Sequence, residues 1–314
     1  MTSPVGPRLE VPEALVDWHR KFFGESGRAW IDAAPDLAAD LLERWQLRPD
    51  GAPTCGATAL VLPVVRADAT PAVLKLQPVT DHTVGEPDAL RVWNGDGAVR
   101  LLDHDPESGS MLLERLDADR PLSTVPDDLA ALQILSELLA RLSAVPAPAG
   151  IRQLSVFGAD LLDRVPGALT LVKDPSQHRL IGACASALED VLPEAGDRLV
   201  HEDLHFDNIL APHPADQREP WLAIDPNPVA GDPGFALLAA LHNRWEEAIA
   251  TGDVARAIRR RFDLMTDILG LDRTRATKWT LARILQNAVW DVEHDDTMWH
   301  TEPDRAIAHT LLDN

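Results

Sequence analysis

His201, Asp203, Asn208 and Asp225 are the residues of this 314-residue chain whose types and spacing could do chemistry. They fall in His201-Glu202-Asp203-Leu204-His205-Phe206-Asp207-Asn208, between the apolar pieces Arg198-Leu199-Val200 and Ile209-Leu210-Ala211, and in a following strand, Trp221-Leu222-Ala223-Ile224-Asp225. A loop Asp can accept the proton of an attacking hydroxyl, an Asn five residues later can bind Mg²⁺, and an Asp after a short hairpin can bridge metal and phosphates, which is the equipment of phosphoryl transfer. Asp203, Asn208 and Asp225 fit those three roles. Two other readings use the same residues: His201, Asp203 and His205 as ligands of zinc or iron, or a polar loop held by its own hydrogen bonds.

Such a loop needs elements to aim it. Pro12 to Phe23 and Arg28 to Trp45 carry helical spacing, with Leu37, Leu41, Leu42 and Trp45 on one stripe. From Leu47 to Gln77, β-branched and apolar runs broken by Gly, Pro and Asp predict three antiparallel strands, and Val99–His104 and Ser110–Leu116 predict two more. The expectation is an α+β chain: a small five-stranded antiparallel N-terminal lobe preceded by helices, residues 1–115, and a larger, mostly helical C-terminal lobe, residues 116–314. Leu116 to Arg120 is the expected hinge, and Asp127 to Leu142 opens the helical part. Further helices are expected over Gly234–Ala250, Asp253–Leu269 and Thr274–Glu293.

Within the first lobe, Lys75 is one of only four lysines among 29 basic residues, yet it lies inside the apolar run Ala72-Val73-Leu74-Lys75-Leu76. A buried ammonium needs a partner, and a phosphate on one side with the helical carboxylate Glu86 on the other would supply it; an edge-strand lysine facing water is the alternative. Thr54-Cys55-Gly56-Ala57-Thr58 is either a phosphate-approaching turn at Gly56 or an ordinary hairpin. In the third late helix, Asn287 and Asp291 are four apart with Trp290 beside them, a face suited to a cation or simply a solvated and partly packed one.

Composition sets limits. A net charge of −21 repels nucleic acid and anionic membranes and favours small cations or plain solubility. Cys55 and Cys184 are far apart and imply no disulfide framework, no run reaches the length of a membrane span, and the first ten residues lack a signal-peptide pattern, so a cytoplasmic protein without nucleic-acid or membrane partners is expected. Protein partners are left open by the sequence.

The catalytic stretch through Leu210, with Ala223-Ile224-Asp225-Pro226 and Gly231-Asp232-Pro233-Gly234-Phe235, resembles the aminoglycoside phosphotransferases, and among them the streptomycin 6-phosphotransferase and hydroxyurea-resistance kinase group. Leu74-Lys75-Leu76-Gln77, Arg100-Leu101-Leu102-Asp103-His104-Asp105, Met111-Leu112-Leu113-Glu114-Arg115-Leu116, Arg260-Arg261-Phe262-Asp263-Leu264 and Trp279-Thr280-Leu281-Ala282-Arg283 extend it over roughly residues 25 to 300. The resemblance implies a protein-kinase-like bilobal fold, ATP with Mg²⁺, and transfer of the γ-phosphoryl group to a hydroxyl of streptomycin, a cationic substrate. By position it makes Asp203 the base, Asn208 and Asp225 the metal ligands, Lys75 and Glu86 the phosphate-binding pair, and the backbone around Glu114 and Leu116 the adenine contact. His205, Asn287, Trp290 and Asp291 are the substrate candidates. Where the group has Asp after Gly-Asp-Pro-x-aromatic, this chain has Ala236, so a carboxylate expected to brace the catalytic loop is missing. That departure keeps open a kinase-shaped nucleotide-binding protein with little turnover, beside a kinase of another amino- or guanidino-bearing sugar or small alcohol.

Overall fold

The computed structural model describes residues 9–56, 58–213, 217–294 and 301–313. Part of the sequence-based reading, the first eight residues, Ala57 of the glycine turn and the end of the resemblance at 295–300, lies outside the described residues. The chain forms two compact units.

In the first unit, α1 (Glu13–Phe22) and α2 (Gly24–Arg44) precede a sheet whose longest strands are β3 (Leu60–Val65) and β4 (Pro71–Leu76). Strand β6 (Ser110–Glu114) pairs with β4, β5 (Leu101–Asp105) closes that edge, and α3 (Glu86–Trp93) lies between β4 and β5 in the chain. Alternation decides the faces: Leu60, Leu62 and Val64 of β3 and Leu74 and Leu76 of β4 are buried with Leu15, Ala34, Ala38 and Leu41 of the leading helices, which leaves Lys75 on the opposite face. The sheet contains six strands, not the expected five. The edge strand opposite β5 is cut into β1 (Arg48–Pro49) and β2 (Thr54–Cys55), both paired with β3, and the register slips by two residues between them. Pro53, lacking an N–H, and Gly51, at φ 152, stand in the interruption.

The second unit begins with a strand where a hinge was expected: β7 (Leu116–Pro121) joins β9 (Ile209–Pro212) and β10 (Leu222–Ala223) in a three-stranded sheet. Helix α4 (Asp128–Leu142) starts as predicted, its first amides accepted by the N-cap Asp127. Helices α5 (Leu154–Leu171) and α6 (Pro175–Val191) follow; Pro166 inside α5 and glycines at 158, 167 and 182 blur their periodicity in the sequence. Strand β8 (Arg198–His201) pairs antiparallel with β11 (Pro228–Gly231). The expected helix over Gly234–Ala250 is broken into a 3₁₀ turn (Pro233–Ala236), α7 (Leu237–Leu241) and α8 (Trp245–Ala250), with Arg244 left-handed at φ 49. Helices α9 (Val254–Leu269), α10 (Arg273–His294) and α11 (Glu302–Leu312) complete the unit, the last not anticipated from sequence.

The units depart from a division at 115/116 in more than one place: Leu116 and His213 group with the first unit, and Asp96–Ala98 groups with the second. The Gly97 carbonyl accepts the Ala223 N–H at 2.9 Å, its N–H donates to Glu219 at 3.3 Å, and Asp96 pairs with Arg141. Gly97 has φ +78, and a Cβ there would stand 3.0 Å from Leu138, so glycine alone fits without strain. Among the described residues no helix is long and apolar enough to cross a membrane.

Candidate active site

In the first unit the lysine expectation meets a definite partner. Strand β4 lies between β3 and β6, so Lys75 is no edge residue. It is 5% exposed and Glu86 1%, and Lys75 Nζ donates to both Glu86 oxygens at 2.6 and 2.8 Å. Glu86 is the first residue of α3, where unpaired amides and the helix dipole favour a carboxylate. The sequence reading missed Gln77, which shares the Lys75 face two residues on and donates from Nε2 to Glu86 Oε2 at 2.6 Å. Gly56 is exposed and its N–H donates to the Ala59 carbonyl at 3.0 Å, the arrangement of a hairpin end. That turn is tied back to α1 by the buried His19, whose Nε2 donates to the Thr58 carbonyl at 3.0 Å. Glu114 accepts the Arg100 N–H at 2.8 Å, and Leu116, the next residue but one, is buried.

In the second unit, the loop after β8 is built around Ile224. The wholly buried His201 donates from Nε2 to the Ile224 carbonyl at 3.0 Å, and the Ile224 N–H donates to the Asn208 carbonyl at 2.9 Å. Burial pushes the His201 imidazole below its ordinary value, against the Ile224 bond and the Asp203 and Asp225 charges, with His205 adding to the lowering. His201 is therefore a neutral strap. With Nε2 given to Ile224, His201 serves the loop's own hydrogen bonding, and no group of three His, Cys, Asp or Glu suited to a metal ion is found among the described residues. Asn208 donates from Nδ2 to the Asp203 carbonyl at 2.9 Å. Because a carbonyl can only accept, this bond fixes the amide orientation and leaves Oδ1 as an acceptor. Asp225 lies beyond β10, not in it, at φ 54, a left-handed conformation that side chains other than Gly, Asn and Asp rarely adopt. Asp203 is half-buried and Asp225 exposed.

The loop is held by residues that spacing did not reveal. The break between α7 and α8 lets Asn243 Oδ1 accept the Phe206 N–H at 3.1 Å, and lets Arg244 donate to the Ser123 carbonyl at 2.9 Å and to those of Val125 and Pro126. Ser123 in turn donates to Asp207 at 2.5 Å. The missing carboxylate at Ala236 thus leaves Phe206 N–H satisfied. Asp232 is committed elsewhere, to the Gly234 N–H at 2.8 Å and Arg275 Nε at 2.6 Å. Ala236 itself is 0% exposed. Ala236→Asp is accordingly expected to cost several kcal/mol through burial of a new charge and to give no gain in rate. Thermal melting beside a turnover assay checks this; retained stability with faster turnover would mean that the loop lacked an acceptor.

The substrate candidates on α10 have structural employment. Asn287 donates from Nδ2 to Asp304 at 3.0 Å, and the fully buried Asp304 also meets His242 Nε2 at 2.5 Å. Asp291 accepts from the Thr301 hydroxyl at 2.9 Å, so Asn287 and Asp291 both hold the chain around α11. Trp290 is 42% exposed and stacks on His294 at 4.6 Å. His205 belongs to the catalytic loop instead, its carbonyl accepting the Asn208 N–H at 3.0 Å. Both cysteines are free, and burial, with the Asp304 charge second, pushes the Cys184 thiol up to about 12.

Residues 44–295 match the family described as aminoglycoside/hydroxyurea antibiotic resistance kinase. A streptomycin 6-kinase of Streptomyces glaucescens is 53% identical over 285 residues, covering 91% of this chain and 92% of the relative. A hydroxyurea phosphotransferase of Kitasatospora aureofaciens is 48% identical over 310 residues, 98% of this chain and 87% of its own. Among solved structures, a thermostable mutant of aminoglycoside phosphotransferase APH(4)-Ia, a ternary complex with ADP and hygromycin B, has a TM-score of 0.58 at 14% identity, covering 88% of this chain and 98% of that one. The fold is that of the protein-kinase-like small-molecule phosphotransferases.

Proposed function

The chain belongs to the aminoglycoside/hydroxyurea antibiotic resistance kinases, and from that premise we propose that it transfers the γ-phosphoryl group of ATP to a hydroxyl of an aminoglycoside, with streptomycin the foremost candidate. The observation that carries the reading is the Asn208–Asp203 bond, in which the Asn208 amide N–H is spent on the Asp203 backbone carbonyl and its oxygen is left as an acceptor.

Asp203 accepts the proton of the substrate hydroxyl as its oxygen attacks phosphorus. Asn208 Oδ1 and the Asp225 carboxylate, both hard oxygen donors, fit Mg²⁺. Bound there, Mg²⁺ neutralises charge on the phosphates. Lys75 meets a phosphate, Glu86 and Gln77 hold Lys75, Gly56 lies at the nucleotide turn, and the backbone around Glu114 and Leu116 meets adenine. In this reading residues 1–115, apart from Asp96–Ala98, serve the nucleotide, and 116–314 serve catalysis and substrate. His205, Asn287, Trp290 and Asp291 remain the proposed substrate side, supported by the acidic balance of −21, which draws a guanidino-bearing sugar. A need for ATP supports a cytoplasmic setting for the reaction.

A second acceptor is favoured by the relative named hydroxyurea phosphotransferase, which matches 98% of this chain. Incubation with ATP and Mg²⁺ over a panel of aminoglycosides and hydroxyurea, with products read by mass spectrometry, should give phosphorylated streptomycin. Phosphorylation of hydroxyurea alone would transfer the assignment to the second acceptor, and nucleotide binding with no product from the panel would overturn both.

A further inference from the structure

Glu202 stands between the strap His201 and Asp203 and is 2% exposed, so an ionised carboxylate there must be met by a cation. Arg152, fifty residues earlier, meets it: Nη2 donates to Glu202 Oε2 at 2.5 Å. Arg152 is itself fixed from two further directions. Its carbonyl accepts the Ala230 N–H at 2.8 Å, on β11, the partner strand of β8. Its guanidinium lies 4.9 Å over the Phe157 ring, Phe157 meets Phe235 edge-on at 6.2 Å, and Phe235 meets Trp279 of α10 at 6.4 Å. A packed aromatic row therefore ends on the guanidinium that grips the residue next to Asp203. On its other side, the Glu202 N–H donates to the Asn227 carbonyl at 3.2 Å.

We infer that Arg152 is a positioning residue for phosphoryl transfer, acting through Glu202 to fix the direction in which the Asp203 carboxylate leaves the loop; this rests on the phosphotransferase reading above. A base must come within about 2.6–3.2 Å of the proton it takes. A displacement of about 1 Å can cost on the order of a hundredfold in rate. Lysine could restore the charge but not the planar group that stacks on Phe157 while holding Glu202.

The test compares Arg152→Met, Arg152→Lys, Glu202→Gln and the Arg152→Met/Glu202→Gln double variant. Each is assayed at a temperature where melting shows it folded, on whichever panel compound the wild type phosphorylates. Arg152→Met is expected to lower kcat by about ten- to a hundredfold with ATP KM within about twofold, Arg152→Lys to recover part of it, and the double variant to lose no more than the worse single one. Amide hydrogen exchange of residues 202–208 is followed on the same proteins and reads the clamp whatever the substrate: it should quicken in Arg152→Met while α6 is unchanged. An unchanged loop exchange, an unchanged kcat with only a lower melting point, or additive losses in the double variant would each overturn the role of Arg152. A wild type inactive on the whole panel would overturn the phosphotransferase reading instead, and the exchange experiment still decides the clamp.

Discussion

Asp203→Asn is expected to lower kcat by roughly 10²–10⁴-fold and to leave ATP KM near its wild-type value, because general-base catalysis, the role proposed for Asp203, contributes about that much. The substitution is local in an unusually clean way. The bond that organises the loop uses the Asp203 backbone carbonyl, which Asn keeps, so Asn208 stays oriented and only the carboxylate is removed. His201 is buried, and its Nε2 already donates to the Ile224 carbonyl. Steady-state kinetics with ATP and the phosphorylated acceptor measures both constants. Turnover near wild type would show that Asp203 is not the base, and a large rise in ATP KM would give it a nucleotide role instead.

Lys75→Met has a large expected effect on stability and lowers turnover as well. It takes the ammonium away from Glu86, 1% exposed, which keeps the bond from Gln77 Nε2. Breaking one side of a buried ion pair costs about 3–5 kcal/mol, since the remaining charge stays out of water. Lys75→Met/Glu86→Gln removes both charges and should recover most of that stability. It should not recover turnover, because the phosphate still lacks its cation. Denaturant unfolding and ATP turnover on the two variants separate the effects. Recovery of turnover in the double variant would show that Lys75 serves only the fold, and equal stability of the two variants would show that the orphaned carboxylate finds other partners.

Much was legible in the sequence because it depends on near neighbours along the chain. An ammonium in an apolar strand has to be paired, whatever the fold, and Glu86 opens the next helix. Asp127, ahead of a leucine stripe, marks the start of α4 because a side-chain oxygen there satisfies the first amides. The loop from His201 to Asn208 is short enough that its type and spacing show what it could do. Periodicity and spacing say which face a residue takes, and they do not say what stands opposite. The partners of Glu202, Phe206 and Asp291 are Arg152, Asn243 and Thr301, brought up by the packing of helices and strands distant in the chain or by the turn into α11. Asn287 and Asp291 looked free to meet a cation because α11 was invisible, and Ala236 looked like a lost brace because the break that releases Asn243 cannot be seen in a helical pattern. Local chemistry thus singled out the residues of the candidate site, whereas the tertiary structure decided which of them are held, and by what, because a hydrogen bond between distant segments depends on their packing and leaves no period in the sequence.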